Sequence, residues 1–394
     1  PPFNFCSLIF NFYFLIFNSK KSVRILLIGE ASYAHATLRD GLAELGHDVV
    51  LMSDGNAPRD CPRDIDLRRD PRWGKLGGLK VLFTLLRNIR RLCGNDVVQI
   101  HNYQFVPLKM SWNKMLISFL KRHNRCLIKG CYGDDPQVLE RQLKGVPEYS
   151  DMYWNGCVRN QEQNKARLAE QRLPECVSCF NKAAGSSDAF VACLYEYYLA
   201  YDVDSFRSRL HYVPLPMHVP HDARVKGTDG KIKVLVGVQS RREYLKGARK
   251  IAEMIEEVDR RHPGRLSVMY VEDVPYDRYC VMLDEADVQV DQFYSYTPSM
   301  NSLAAMARGT VVIGGGEEEF YEFIGENKLR PIINVSPEKS FDDNVATLEQ
   351  ALLTPGNVAL LSKQSVEFVR KYHDYRKVAA EYVEVYKKYS VRRD

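Results

Sequence analysis

DQFYSYTPSMNSLAAMARGTVVIGGG, residues Asp291 to Gly316, carries the most informative pattern in the chain. It reads as strand end, loop, helix, strand and glycine loop. Val288 and Val290 close a buried strand, which cannot continue through Pro298 because proline has no N–H for the ladder. Ser299 or Asn301 can cap the next helix with a side-chain oxygen. Residues 302–308 are mostly small or apolar, suited to close packing, and Gly309 supplies the stop. Val311 to Ile313 form a short β-branched strand that runs into Gly314, Gly315 and Gly316. A helix start facing a glycine turn leaves backbone N–H groups for phosphate oxygens, as α/β proteins use them at strand ends. An ordinary βαβ unit with permissive loops is the plainer alternative.

Composition sets the frame around this stretch. A chain of 394 residues exceeds one ordinary core, so two domains are expected. Hydrophobic residues at 45% and charged residues at 27% describe a globular protein. The net charge of +5 is mild and no basic run is long enough to be a tail, which argues against nucleic acid. Ten scattered cysteines suggest thiols in a reducing compartment. Cys176 and Cys179 form one Cys-x-x-Cys, but Cys131 and Cys157 supply no second pair at zinc spacing, so no metal site is expected. Residues 3–17 are Phe-rich yet interrupted by Asn4, Ser7 and Asn11, and they are shorter than the ~20 residues that span a bilayer. With no basic segment before them and no small-residue cleavage site after, residues 1–22 read as an appendage outside the fold, a membrane-touching anchor being the alternative.

Taken in order, residues 23–28, 36–45 and 48–52 give a strand–helix–strand opening. Only Gly29 of a GxGxxG fingerprint is present, which disfavours a nicotinamide dinucleotide. Residues 80–92 read as an amphipathic helix with Arg87, Arg90 and Arg91 on its polar side, and residues 111–122 as a second basic helix. Strand 96–100 delivers His101, and strand 126–129 leads into the loop 130–135. Pro214, Pro216 and Pro220 mark a boundary, after which the alternation restarts at residues 232–238. Residues 357–389 read as helix, with a break near His373 and Asp374. The expected class is α/β, with two Rossmann-like doubly wound domains facing across a cleft: residues 23–215 first, 216–375 second.

SLAAMARGTVVIGGG (302–316) resembles the EAMA-x-G-x-PVV stretch of the retaining GT-B glycosyltransferases (glycosyl transferases group 1, family 4-like). GVQSRREYLKG (237–247) resembles that family's G-R…KG phosphate loop, DVVQIHN (96–102) its D-V-V-H-x-H strand end, and GCYGDD (130–135) its HGSD loop. The resemblance implies a nucleotide diphosphate sugar as co-substrate, no further cofactor, a saccharide or glycolipid acceptor, retention at the anomeric carbon, and residues 376–394 as a helix crossing back to the first domain. The family commonly carries two Glu with seven residues between them. Here those positions are Tyr296 and Ala304, so donor contacts must pass to others, among them Asp291, Gln292 or Glu317 to Glu319. A GT-B-fold sugar epimerase and a catalytically inactive sugar- or partner-binding relic are the alternatives.

Within that frame Arg241, Arg242 and Lys246 would meet the charge that grows on a departing diphosphate, against the reading of a solvated basic loop. His101 would contact the sugar or position the acceptor, and Asp134 would accept from hydroxyls; a structural His and a turn Asp compete with these. Gly29, Ser32, Gly314, Gly315 and Gly316 would let backbone approach the donor. Ser299, Met300, Asn301 and Ser302 would offer a helix start to phosphates, with Glu317 and Glu319 near the sugar; a carboxylate at a helix start also favours the dipole without any ligand. The basic helices read first as solvated faces. With a lipid-linked acceptor they would touch anionic lipid, placing a cytoplasmic protein peripherally on the inner face of the membrane.

Overall fold

The computed structural model describes residues 22–57, 60–227 and 230–390; the Phe-rich start of the chain lies outside them. Strands β1 (Arg24–Ile28), β2 (Asp48–Ser53), β3 (Ile65–Asp66), β4 (Val97–Ile100) and β5 (Cys126–Cys131) form where apolar residues run together. A short antiparallel hairpin follows, β6 (Tyr153–Trp154) with β7 (Cys157–Val158), then β8 (Ala189–Ala192) and β9 (Leu210–Tyr212). The helices between them are α1 (Ala34–Glu44), α2 (Gly74–Arg87), α3 (Met110–His123), α4 (Pro136–Gln142), α5 (Gln161–Gln171), α6 (Pro174–Ser186) and α7 (Tyr195–Tyr201). The sheet runs β3-β2-β1-β4-β5-β8-β9, every pair parallel. Buried on both faces, it is covered by α2, α3 and α6 on one side and by α1 on the other.

The second sheet, ordered β11-β10-β12-β13-β14, is also parallel throughout. Its strands are β10 (Ile232–Val238), β11 (Leu266–Glu272), β12 (Val288–Val290), β13 (Val311–Gly314) and β14 (Ile332–Asn334). The helices here are α8 (Glu243–Lys246), α9 (Ala248–Arg261), α10 (Tyr276–Glu285), α11 (Met300–Met306), α12 (Glu318–Phe323), α13 (Phe341–Leu353), α14 (Asn357–Tyr372) and α15 (Tyr375–Ser390). Ile251, Ile255 and Val258 of α9 pack with Val345 and Leu348 of α13 on one face, and Leu303, Phe368 and Val369 occupy the other.

The chain crosses between the sheets twice, side by side. Met217 donates to the His373 carbonyl at 2.7 Å, and Tyr375 N–H returns to the Met217 carbonyl at 3.1 Å. Beyond this tie α15 lies on the first sheet beside α1, burying Val378, Ala379, Tyr382 and Tyr386 against Ile25 and Leu27. A buried polar network fixes it there. Tyr386 Oη donates to Gln99 Oε1 at 2.8 Å, Gln99 Nε2 donates to Tyr132 Oη at 2.9 Å, and the hydroxyls of Tyr132 and Tyr382 bond each other. Buried polar groups of this kind specify one docking only when all are satisfied.

The helix read over residues 80–92 begins earlier and ends sooner, at Gly74–Arg87, with a 3-10 turn over Ile89–Leu92. The Asn88 side chain folds back on the Thr84 carbonyl at 2.9 Å and closes the α-helix there. A fully buried ion pair supports the loop after β5. Lys129 Nζ reaches Asp135 Oδ2 at 2.9 Å and Tyr201 Oη at 2.8 Å, while Asp135 Oδ1 caps α4 through Val138 N–H at 2.9 Å. Removing one partner strands the other charge in the core. Lys129→Met is therefore expected to lower the unfolding free energy by about 3–5 kcal/mol in urea titrations, and adding Asp135→Asn should recover part of that loss.

Candidate functional site

The carboxyl ends of both parallel sheets face one cleft, which holds a cavity of about 310 Å³. Ser32, Asp134, Arg167, Glu196 and Tyr197 line it from the first domain; Arg242, Lys246, Gln292, Ser299, Met300 and Asn301 line it from the second.

On the second-domain side the loop after β12 is built on Asp291. Its buried carboxylate accepts from Ser299 Oγ at 3.0 Å and from Ser302 Oγ, and it pairs with Lys246 Nζ at 3.3 Å. Burial pushes this carboxyl up, but Lys246 and the two hydroxyls outweigh it and hold it below the usual carboxylate range. Ser299 is thus drawn away from capping α11. Asp291 and Ser302 are struts behind the cavity wall, whereas Lys246, Gln292, Ser299, Met300 and Asn301 are on it.

The glycine run does something other than expected. Gly315 N–H donates to the Gln292 carbonyl at 3.1 Å, and Gly316 N–H to Asn334 Oδ1 at 3.0 Å. A Cβ on Gly315 would stand 1.7 Å from the Ser295 carbonyl oxygen. Gly314 closes β13; Gly314 and Gly315 bring backbone against backbone, Gly316 packs on the Ile332 side chain, and none of the three lines the cavity. Glu317 is equally occupied, accepting from Tyr149 Oη at 2.5 Å and Asn334 Nδ2 at 2.8 Å. Glu319 is exposed on α12, and Arg241 is exposed beside α8; neither is on the cavity wall. Arg242, one residue on, is.

On the first-domain side Gly29 has a left-handed backbone, φ +82°, and a Cβ there would sit 1.9 Å from His101 Nδ1. A close approach that needs glycine here is the one to His101. His101 lies under the β1 end, off the cavity wall, and burial pushes its pKa down to about 4. Its neighbour His35 offers Nδ1–H to the Gly29 carbonyl at 2.8 Å and takes Gln99 Nε2–H at 3.1 Å; burial lowers it to about 3, so burial favours the neutral form of both rings. Asp134 is on the wall, but its carboxylate is held by the Arg167 guanidinium, which also reaches Asp151 at 3.2 Å. Ser32 lines the cavity directly.

Glu196 was not singled out by its sequence, yet it ties the halves together. At the first turn of α7 its carboxylate accepts from Ser295 Oγ at 3.0 Å, Tyr296 N–H at 2.7 Å, Thr297 N–H at 3.1 Å and Thr297 Oγ1 at 2.6 Å. The hairpin segment adds a second tie. Tyr149 stacks on Tyr296 with centroids 4.4 Å apart, and Arg159 lies over the Tyr294 ring at 3.0 Å. A lone Glu within a Tyr-rich helix was the one signal of this clamp in LYEYYLAY (194–201); Arg167 and Tyr149 carried none. Among the described residues no group of His, Cys, Asp and Glu stands as a metal cluster, and Cys176 and Cys179 are buried free thiols.

Glu196→Gln keeps the size but replaces half of the acceptor with an N–H donor facing N–H donors. Amide hydrogen exchange at Tyr296 and Thr297 should then accelerate by about tenfold or more, while exchange in β12 stays unchanged.

No family model matches the sequence, and no curated protein matches it. Solved structures do. Sucrose-phosphate synthase from Thermosynechococcus elongatus superposes with a TM-score of 0.55 at 16% identity, covering 93% of this chain and 98% of that one. WaaG, a glycosyltransferase involved in lipopolysaccharide biosynthesis, gives 0.52 at 10% identity, covering 92% and 99%. A glycosyltransferase from Rickettsia africae gives 0.51 at 12% identity, covering 93% and 98%. The chain shares with them the GT-B fold, two Rossmann-like domains that face each other across the cleft just described.

Proposed function

We propose that the protein transfers a sugar from a nucleotide diphosphate sugar to a saccharide or lipid-linked acceptor, with retention and without a metal, on the cytoplasmic side of the membrane. The observation that carries this reading is the pair Arg242 and Lys246 beside the start of α11 on one wall of the cleft, opposite the polar wall of Asp134, Arg167 and Glu196. Glycosyl transfer leaves negative charge on the departing diphosphate. Two cations and a helix start aimed at one place stabilise that charge as it forms. Lys246 makes one bond to Asp291, which fixes its position and leaves further donors for phosphate oxygens. Arg242 offers a planar fork and has no carboxylate partner among the described residues. Gln292 and Asn301 take the place of the absent Glu pair toward the donor sugar, because their amides both donate and accept. The likeness in fold to WaaG and to the Rickettsia africae glycosyltransferase supports the reading.

Calorimetry tests it. Across a panel of nucleosides, nucleoside diphosphates and nucleotide sugars, Lys246→Ala and Arg242→Ala should each weaken diphosphate binding by about tenfold or more, and nucleoside binding by far less. Equal diphosphate affinity in variant and parent removes these residues from the site. No binding of any nucleotide by the parent overturns the proposal.

A further inference from the structure

Helix α2 carries two apolar faces. Gly77, Val81 and Leu85 turn inward onto the first sheet's core. Leu76, Leu79, Phe83 and Leu86, at three- and four-residue spacing, form a ridge on the outer side, 63%, 59%, 65% and 67% exposed. Trp73 extends the ridge before the helix and Ile89 after it. A core-facing helix has one apolar stripe; the second is left uncovered by the described residues and is available to a surface outside the core.

The charge around the ridge says what. Residues 72–94 and 109–125, which make α2, α3 and their flanks, contain eleven Lys and Arg and no Asp or Glu. They contribute +11 to a chain whose total is only +5. Among the described residues Arg87, Arg90, Arg91 and Arg122 are exposed and have no carboxylate partner. On the neighbouring α3, Trp112 and Met115 are exposed beside Lys114. Three of the eleven pair with carboxylates of neighbouring segments, Arg72 with Asp70, Lys121 with Asp188 and Arg125 with Asp96. An apolar helix ridge rimmed by cations in excess over acid matches an interfacial helix on an anionic bilayer. A second copy of the chain would bring the same positive rim against itself.

We propose that this face docks the protein onto an anionic lipid surface, with the α2 ridge entering the headgroup–acyl boundary. In a parallel sheet each helix starts at the carboxyl edge of the strand before it. Trp73 and Trp112 therefore lie at the edge from which the cleft opens, and docking would set that cleft against the bilayer. The inference that the acceptor is lipid-borne rests on the transferase reading; the docking itself rests only on α2 and α3.

The test is co-sedimentation of the full chain with vesicles of phosphatidylcholine alone and with about a third phosphatidylglycerol. The unmodified protein should bind the anionic vesicles at least about tenfold more tightly, and salt should weaken the binding. Leu79→Glu with Phe83→Glu, and separately Arg87→Glu with Arg90→Glu and Arg91→Glu, should each cost about tenfold or more. All five positions are exposed, so the circular dichroism and nucleotide affinity of both variants should match the parent. Unchanged vesicle binding in either variant, or equal binding to neutral and anionic vesicles, overturns the proposal. So does a parent that sediments as a dimer while the Leu79/Phe83 variant is monomeric, because the face would then belong to a second copy. Loss of nucleotide binding with docking intact would strike the transferase reading alone.

Discussion

The Glu196 carboxylate takes two N–H and two hydroxyl bonds from Ser295, Tyr296 and Thr297. On this set of bonds the cleft depends. The loop it holds has Gly315 packed against its backbone on the far side, so it is gripped from both domains. The same loop opens with Asp291, which fixes Lys246, and ends at Ser299, where α11 starts. Together with the Tyr149–Tyr296 stack and Arg159 over Tyr294, this charged group holds the walls and the residues proposed to meet phosphate in place. Four donors on one carboxylate satisfy its lone pairs, which is the condition for keeping such a charge at an interface rich in aromatic rings.

Tyr296, at the position where the resembled family carries its first Glu, is built into the packing. Its ring stacks on Tyr149, whose hydroxyl passes to Glu317 and from there to Asn334. A carboxylate at position 296 would lose that stacking and face Glu317. Tyrosine at this position is thus part of a packing in which the hairpin segment of the first domain leans on the loop after β12. Under the proposed reading, donor contacts would fall to the amides and cations on the cavity wall.

The two sheets were legible because parallel, doubly buried strands appear as runs of Val, Ile and Leu, and Pro214 to Pro220 separate them. The break between α14 and α15 at His373 and Asp374 was equally plain. What composition could not tell is which partner a permissive residue meets. Gly29 and Gly315 do permit close approach, but to His101 and Ser295. The Glu196 clamp joins residues 100 apart in the chain, where no local pattern can announce it. Helix α2 was misplaced for a related reason: periodicity reveals an apolar stripe without saying whether the core lies under it, and here one stripe is buried and the other bare.

The proposed transfer requires that the cleft turn over a nucleotide sugar. The direct measurement is release of nucleoside diphosphate from labelled nucleotide sugars, with and without saccharide and lipid-linked acceptors, with the label followed into product. Acceptor-dependent release, with the label in the acceptor, is the predicted result. Nucleotide sugar that binds but is neither transferred nor consumed across the acceptor panel would contradict it, and would leave a GT-B fold that holds its ligand without chemistry.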